Sequence, residues 1–252
     1  MLIHNKGLTK TVKFKEGKYV GDPLNAVRIF NEKEVDELMV LDIDASVKGC
    51  EPNYELIEKM AKECRMPLCY GGGIKTADQA RRIFSYGVEK IAISSLAVEH
   101  PEVVTEIAEA VGNQSVVVVM DVHKRKFTGK YELYTYNGTK ATGLNPVTFA
   151  QEMVRRGAGE LVTNSIDNDG VMQGFDMKLI DSVKQSVNIP VTVIGGAGTL
   201  DDIGEVVKRH GIIGVGAGSL FVFKGKYKAV LINYPNPQEK EALIKKYFTY
   251  NK

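Results

Sequence analysis

The chain's strongest candidate for chemistry is an aspartate that ends its most apolar segment. Residues 115–121 read Ser-Val-Val-Val-Val-Met-Asp, which is the clearest β-strand pattern in the sequence. A carboxylate at the end of a buried strand can give or take a proton, so Asp121 is a candidate general acid or base. The competing interpretation is that Asp121 caps a helix or pairs with a lysine from a loop.

Two clusters of glycine and serine follow other apolar segments and have the residue types that hold a phosphate. Glycine lets backbone N–H groups approach an anion, and the N-terminus of a following helix attracts negative charge. The clusters align at an offset of 195 − 71 = 124 residues. A simpler interpretation is that the glycines only form tight turns; if both clusters bind phosphate, the substrate is long and carries one at each end. The clusters are Gly72, Gly73, Ser94 and Ser95, and Gly195, Gly196, Gly218 and Ser219.

An acidic motif also occurs twice, as Asp42-Ile43-Asp44 and Asp167-Asn168-Asp169. Aspartates in such positions often cap helices or form Asx turns. One member of each pair could instead contact substrate hydroxyls or order the site. Neither pair has the spacing of a calcium-binding loop, so we predict no metal site. The three cysteines also lack metal-ligand spacing, which favours reduced thiols in a cytoplasmic protein that needs no cofactor.

Three charged residues precede or begin apolar segments, namely Glu37, Lys90 and Glu160. In a barrel of parallel strands, the start of a strand lies at the N-terminal rim, opposite the face that carries function. Charges at the start of a strand usually face solvent. The residue pattern alone gives these three no other role.

Composition excludes several classes of function. The chain has 252 residues, of which 44% are hydrophobic, and a net charge of +2. This charge gives no reason to expect nucleic acid or a membrane surface as a partner. No apolar run approaches the ~18 residues of a membrane span, and no signal-peptide pattern occurs.

Eight apolar segments that alternate with helical patterns must position these residues. Eight βαβ units in about 250 residues suit a (β/α)8 TIM barrel of the α/β class. The internal repeat favours two half-barrels that close into one domain over residues 1–252, rather than a doubly wound open sheet. We predict a lysine-rich loop at 5–21 and a small hairpin at 130–136. The predicted strands are 1–4, 38–42, 68–70, 89–94, 115–121, 160–164, 191–194 and 212–216, and the predicted helices begin near residues 23, 54, 76, 101, 146, 177, 200 and 237.

The whole chain resembles the cyclase subunit of imidazole glycerol phosphate synthase, the HisF family. The resemblance depends on specific segments that run nearly from end to end. A sister family, the HisA isomerases, shares the half-barrel repeat, but the match through 157–160 and 167–170 looks closer to the cyclase. The matching segments are residues 40–46, 71–74, 115–121, 165–170 and 195–198.

This resemblance implies a partner and a reaction. In that family a glutaminase subunit, here HisH-like, docks on the N-terminal face of the barrel. Ammonia passes through the barrel to a bisphosphorylated substrate at the other face, and the products are imidazole glycerol phosphate and an aminoimidazole carboxamide ribotide. By resemblance, Glu37, Lys90 and Glu160 match three members of a charged gate through which ammonia enters.

The resemblance also implies roles at the opposite face. Asp121 matches the catalytic carboxylate, and Lys10 matches the loop lysine that closes over the substrate. Asn164, Asp169 and Gly170 complete the expected substrate-binding set.

The first strand departs from the family pattern. The family's other catalytic aspartate ends that strand, and the matching residue here is Leu2, which cannot transfer a proton. A two-carboxylate mechanism without one partner typically loses ~10²–10⁴ in rate. The segment Lys10-Thr11-Val12-Lys13-Phe14 resembles paralogues associated with amidation of surface sugars. Three functions stay open: a cyclase-type synthase subunit, a subunit that passes ammonia to a sugar-modifying reaction, and a scaffold that activates a glutaminase without its own chemistry. A fourth and weaker alternative is a HisA-like aldose–ketose isomerase, which also needs an acid and a base on opposite strands, so Leu2 counts against it equally.

Overall fold

Strands and helices alternate along nearly the whole chain. The protein is described by a computed structural model that covers residues 1–15 and 17–248. Within these residues the strands are β1 (Leu2–His4), β2 (Gly7–Lys10), β3 (Lys18–Gly21), β4 (Leu38–Asp42), β5 (Leu68–Gly71), β6 (Lys90–Ile93), β7 (Val116–Lys124), β8 (Tyr131–Thr135), β9 (Lys140–Ala141), β10 (Glu160–Ser165), β11 (Val191–Ile194), β12 (Gly214–Val215), β13 (Phe223–Lys224) and β14 (Ala229–Val230). The helices are α1 (Pro23–Glu32), α2 (Ile43–Lys48), α3 (Tyr54–Glu63), α4 (Ala77–Phe84), α5 (Ser95–Glu99), α6 (Glu102–Val111), α7 (Pro146–Arg155), α8 (Met177–Lys184), α9 (Leu200–His210), α10 (Ser219–Val222) and α11 (Pro237–Tyr247), with a 3₁₀ helix at Asn113–Ser115.

Eight of the strands form a parallel sheet in chain order, β1, β4, β5, β6, β7, β10, β11 and β12. Each pair of neighbours is joined through at least one helix, as right-handed βαβ units require. This is the (β/α)8 barrel that the alternating pattern predicts. The carboxyl ends of all eight strands therefore share one face of the barrel, and their starts share the other.

Alternation along the strands divides the apolar residues into two layers. On β7, Val116 and Val118 are buried in the large core between the sheet and the helices. Val117 and Val119 belong instead to a small core inside the barrel. Side chains of successive residues leave opposite faces of a strand, so the inner layer identifies which other residues point inward. The inner core is Cys69, Ala92, Val117, Val119 and Val162.

The predicted helix starts near residues 23 and 146 are confirmed, and each is an Asx-Pro pair in which the Asx residue caps the helix and proline follows it. Asp22 caps α1 by accepting a hydrogen bond from the Asn25 N–H, and Pro23 takes the first helical position. Asn145 caps α7 in the same way, through the N–H groups of Val147 and Thr148. Such a cap stabilises a helix by about 1 kcal/mol.

The predicted loop at 5–21 is wrong, because most of that segment is an antiparallel hairpin. β1 and β2 pair with His4 opposite Gly7, so two residues form the turn between them. Those residues, Asn5 and Lys6, have φ values of 48° and 65°. Left-handed backbone at both positions is the geometry of a tight hairpin turn, but the usual glycine is absent from it. β3 then continues the hairpin by pairing with β2.

The barrel has a seam between its first and last strands. In the described residues no ladder joins β1 to β12, and these strands are only three and two residues long. Apolar side chains line a small pocket at this seam, among them Leu8, Phe30 and Val222. Leu8 and Phe30 also belong to the large core, so side-chain packing provides part of the closure that a backbone ladder would otherwise provide.

Candidate active site

Asp121 lies inside the barrel near the carboxyl end of the parallel part of β7, a strand that continues to Lys124. Val117, Val119 and Asp121 alternate with outward-facing residues along β7, so the Asp121 side chain points into the barrel as the two valines do. Strand β10 places Asn164 directly beside it, and the Asn164 Nδ2 donates a hydrogen bond of 2.9 Å to the Asp121 carboxylate. The Ser94 hydroxyl lies 3.5 Å from the other carboxylate oxygen. Three neighbouring strand ends thus converge on one half-buried carboxylate.

The environment of Asp121 tunes its acidity. Burial raises the pKa of Asp121 to about 6; the hydrogen bond from Asn164 opposes this rise, while the negative charge of Asp169 adds to it. Since no lysine or arginine in residues 1–15 and 17–248 forms an ion pair with it, the carboxylate keeps a pKa near neutrality. A group with that pKa can both accept and return a proton under physiological conditions.

Lys10 and Asp169 form a second polar group at the same face. Burial lowers the pKa of Lys10, and the charge of Asp169 opposes that effect. Burial also raises the pKa of Asp169, against the attraction of Lys10. Asp169 is fixed by the Thr11 hydroxyl at 3.1 Å. A side chain at Gly218 would collide with the Lys10 amine, so the end of β2 reaches the loop that follows β12.

The two glycine clusters lie on the same face of the barrel. One follows β5 and the other follows β11, which are four strands apart in an eight-strand ring. Gly72 has a φ of 120°, and a Cβ there would lie 2.5 Å from the Asp42 carbonyl oxygen. Gly196 has a φ of 134°, and a Cβ there would overlap the Gly174 carbonyl. Close backbone packing therefore already requires glycine at both positions, which is the simpler of the two interpretations of the sequence.

The remaining glycines of the set show the same crowding. A Cβ on Gly73 (φ 75°) would lie 2.7 Å from the Cys50 carbonyl oxygen. On Gly195 (φ 85°) it would lie 2.7 Å from the Asn164 amide oxygen. On Gly170 (φ 69°) it would overlap the backbone of Thr11.

The serines of the two clusters begin short helices that the sequence pattern did not reveal. α5 begins at Ser95 and α10 at Ser219, at the repeat offset of 219 − 95 = 124 residues. The Ser95 hydroxyl already accepts a hydrogen bond of 3.1 Å from the Tyr136 N–H, and Ser219 is buried. The two halves thus present the same strand–turn–helix arrangement towards the mouth of the barrel.

Glu37, Lys90 and Glu160 meet at the opposite face. The Lys90 amine donates to Glu37 at 3.0 Å and to Glu160 at 2.8 Å, and the Thr192 hydroxyl donates to Glu160 at 2.6 Å. Burial alone would lower the pKa of Lys90, but the two glutamates raise it well above its usual value. Glu160 is only 8% exposed, so the general expectation that charges at strand starts face solvent is wrong for it.

The acidic motifs divide between helix capping and ion pairing. Asp42 caps α2 through the N–H groups of Asp44 and Ala45. Asp44 accepts hydrogen bonds from His4 at 2.6 Å and from Lys48 at 2.9 Å.

In the described part of the chain, no group of three or more His, Cys, Asp or Glu side chains could hold a metal ion. None of the helices in that part combines the length and apolar composition needed to cross a bilayer.

Two further features bear on the chemistry. Leu2 pairs across the β1–β4 ladder with Leu41, which packs against the inner core. The first strand therefore brings an apolar side chain rather than a carboxylate to the barrel.

The Nδ1 atom of His123 lies 2.9 Å from Asp167. Sequence reasoning missed His123, whose only signal is its position two residues after Asp121.

Comparison with known proteins agrees with this architecture. The family model described as "Histidine biosynthesis protein" matches residues 4–228. A Vibrio vulnificus protein named "Putative imidazole glycerol phosphate synthase subunit hisF3" is 58% identical over 97% of this chain and 94% of its own length. A Leptospira borgpetersenii protein with the corresponding HisF name is 57% identical over 97% and 96%, and a Pseudomonas aeruginosa protein named as a hisF2 subunit is 51% identical over 94% and 94%. The chain belongs to the histidine biosynthesis protein family and, within it, to the HisF group.

Proposed function

We propose that this chain is a cyclase-type synthase subunit that uses ammonia on a phosphorylated substrate, with Asp121 as the proton-transferring carboxylate. The observation that carries the proposal is the environment of Asp121. Its pKa of about 6 follows from burial at the mouth of the barrel, where Asn164 and Ser94 hold it in place. The HisF names of the relatives support a reaction of the imidazole glycerol phosphate synthase type.

The inside of the barrel supports delivery of ammonia from the opposite face. Lys90 and its two glutamates occupy the N-terminal end, and the inner core between them and Asp121 consists of small apolar side chains. Neutral ammonia can cross such a layer, whereas an ammonium ion would lose its hydration. We infer that a glutaminase subunit docks on the N-terminal face and releases ammonia at the Lys90 cluster.

The mouth of the barrel supports binding of a substrate with two phosphates. The turns after β5 and β11 lie on opposite sides of the ring. The strand next to each, β6 or β12, leads into a short helix that begins at Ser95 or Ser219. In this arrangement Gly72 and Gly73 contribute to one phosphate site, and Gly195, Gly196 and Gly218 contribute to the other. Lys10 and Asp169 lie on the β1–β12 side, where the lysine can neutralise substrate charge.

The direct test is turnover of the imidazole glycerol phosphate synthase substrate with ammonium salts and no partner. We expect the wild-type chain to form product and Asp121→Asn to lose that activity. Asp78→Asn is the matched control, since Asp78 is an exposed carboxylate on α4 that pairs with Arg81. Equal turnover by wild type and Asp121→Asn would contradict the role of the carboxylate.

A second function is favoured by one observation, the leucine at position 2. Because Leu2 supplies no proton to the barrel, the chain could pass ammonia on to the amidation of a sugar instead of completing a cyclisation. Failure of the wild type to use the synthase substrate, together with turnover of a phosphorylated or nucleotide-linked sugar, would select this function. Product formation that Asp121→Asn leaves unchanged would instead favour a scaffold that only activates the glutaminase.

A further inference from the structure

We propose that His123, oriented by Asp167, is a second proton-transferring residue at this site and serves the same substrate as Asp121. This inference rests on the proposed function. Leu2 supplies no carboxylate to the barrel, and β7 carries an imidazole, that of His123, two residues after Asp121. The sequence pattern did not reveal it.

The His123 ring is held from two sides. Its Nδ1 lies 2.9 Å from one oxygen of Asp167, and the other oxygen of Asp167 accepts a hydrogen bond of 2.8 Å from the Lys124 N–H. The ring also meets Tyr134 edge-on, with 5.2 Å between ring centroids. The His123 side chain remains 27% exposed, so a ligand at the barrel mouth can reach it.

His123 and Asp121 leave the same face of β7. They are two residues apart on one strand, which separates their Cα atoms by about 7 Å. The β7–β8 ladder places Tyr134 opposite Asp121 and Glu132 opposite His123, so all four side chains share that face. A substrate atom between the two groups on β7 would be within reach of both.

The chemistry of ammonia addition needs two proton transfers. When ammonia adds to a carbonyl carbon, the new C–N bond leaves a positive nitrogen and a negative oxygen. In the arrangement proposed, the Asp121 carboxylate takes a proton from that nitrogen, and the imidazolium of His123 gives its Nε2 proton to that oxygen. Charge and protons balance within this step, and no other reactant is required.

Charged groups from two other elements face the His123 ring. Asp167 faces it from the turn after β10, and Glu132 faces it from β8. A hydrogen bond from Arg125 chiefly lowers the pKa of Glu132, and the charge of His123 lowers it further. The Lys124 side chain lies over the Tyr131 ring instead, 5.5 Å from its centroid.

The alternative is that His123 only pins the hairpin β7–β8 to the turn after β10. His123→Asn separates the two roles, because the shorter amide retains a polar group near Asp167 but has no atom in place of Nε2. A merely structural role would alter stability and leave the pH dependence of the reaction unchanged. A proton-transfer role predicts a change in pH dependence and partial rescue by imidazole added to the buffer.

The experiment measures ammonia-dependent turnover of the synthase substrate from acidic to alkaline pH. We expect His123→Asn to lower kcat about 100-fold with little change in KM, to remove the alkaline limb of the kcat/KM profile, and to recover activity with imidazole. His100→Asn, at an exposed histidine paired with Glu102, is the control and should match the wild type.

Three results would overturn the inference. Wild-type kcat in His123→Asn would show that the ring is not needed. A loss of kcat with an unchanged pH profile and no rescue would assign it a structural role; both results leave the proposed function intact. No turnover by the wild type would overturn the proposed function, and this inference with it.

Discussion

The two ends of the barrel handle buried charge in opposite ways. At the N-terminal end, Lys90 is shared between two glutamates, and a threonine completes the bonding of Glu160. At the C-terminal end, the Asp121 carboxylate is bonded, among the described residues, only by a neutral amide at 2.9 Å and a hydroxyl at 3.5 Å. Pairing raises the pKa of Lys90 well above its usual value, whereas burial without a cation brings Asp121 to a pKa of about 6. The same parallel strands thus support a fixed charged cluster at one end and a group suited to proton transfer at the other.

The largest effect that this comparison predicts is on turnover at the C-terminal end. Asp121→Asn keeps the hydrogen bond from Asn164 but cannot exchange a proton, so ammonia-dependent kcat should fall about 1,000-fold. Steady-state kinetics of the isolated chain, with Asp78→Asn as control, measures this. A loss smaller than tenfold would mean that another group performs the transfer attributed to Asp121.

At the N-terminal end, breaking the ion pairs should affect stability and coupling rather than chemistry. Lys90→Met leaves Glu160 buried without its cation, which should lower the free energy of unfolding by about 2–3 kcal/mol. Urea denaturation measures the loss, and adding Glu160→Gln to the variant should recover much of it.

With a glutaminase subunit present, Lys90→Met should reduce glutamine-dependent turnover more than ammonia-dependent turnover. Equal reductions would argue against a gate.

The stability of the fold should also depend on pH through Asp121, which is buried without a cation. The native pKa of Asp121 lies above the usual 3.8, so the folded state binds more protons than the unfolded state between about pH 4 and 6. The contribution of Asp121 to stability is therefore complete below about pH 4 and is lost as pH rises through 6.

The direction of this pH dependence of stability can be tested by substitution. Asp121→Asn should be more stable than wild type above pH 6, by about 3 kcal/mol, and close to wild type near pH 4. Denaturant unfolding at both pH values measures the difference. A variant that is less stable than wild type at neutral pH would show that burial of the Asp121 carboxylate does not destabilise the fold.

The smallest predicted effect concerns Lys10, which lies beside Asp169 at the mouth. Lys10→Met removes a cation that can pair with substrate phosphate and keeps the aliphatic stem, so KM for the phosphorylated substrate should rise about tenfold. Lys15→Met is the matched control on the same hairpin, since Lys15 is exposed. A KM change of equal size in both variants would indicate general attraction by the lysine-rich hairpin.

Local features with a strong signal could be predicted from sequence, whereas very short helices, an unusual turn and packing between distant segments could not. The Asx-Pro helix starts at Asp22 and Asn145 depend on a few neighbouring atoms, and both are confirmed. The short helices α2 and α5 were missed because fewer than two turns leave no helical periodicity to detect. The β1–β2 hairpin was missed because its turn lacks glycine.

The candidate site shows the same division. Asp121 is recognisable because it ends an apolar strand, and its inward direction follows from the alternation of its own strand. The proximity of His123 to Asp167 depends on how β7 lies against β10, which no single segment encodes. Likewise, only the assembled barrel shows that Glu160 is buried rather than solvated.

The central claim is that ammonia released at the Lys90 end reacts at the Asp121 end of the same barrel. The most direct measurement uses Asp121→Asn in complex with the glutaminase subunit of imidazole glycerol phosphate synthase and follows glutamate and product formation together. The account predicts that glutamate formation continues while product formation falls to background and free ammonia accumulates. Product formation at the wild-type rate, with glutamate and product still produced in equal amounts, would contradict it.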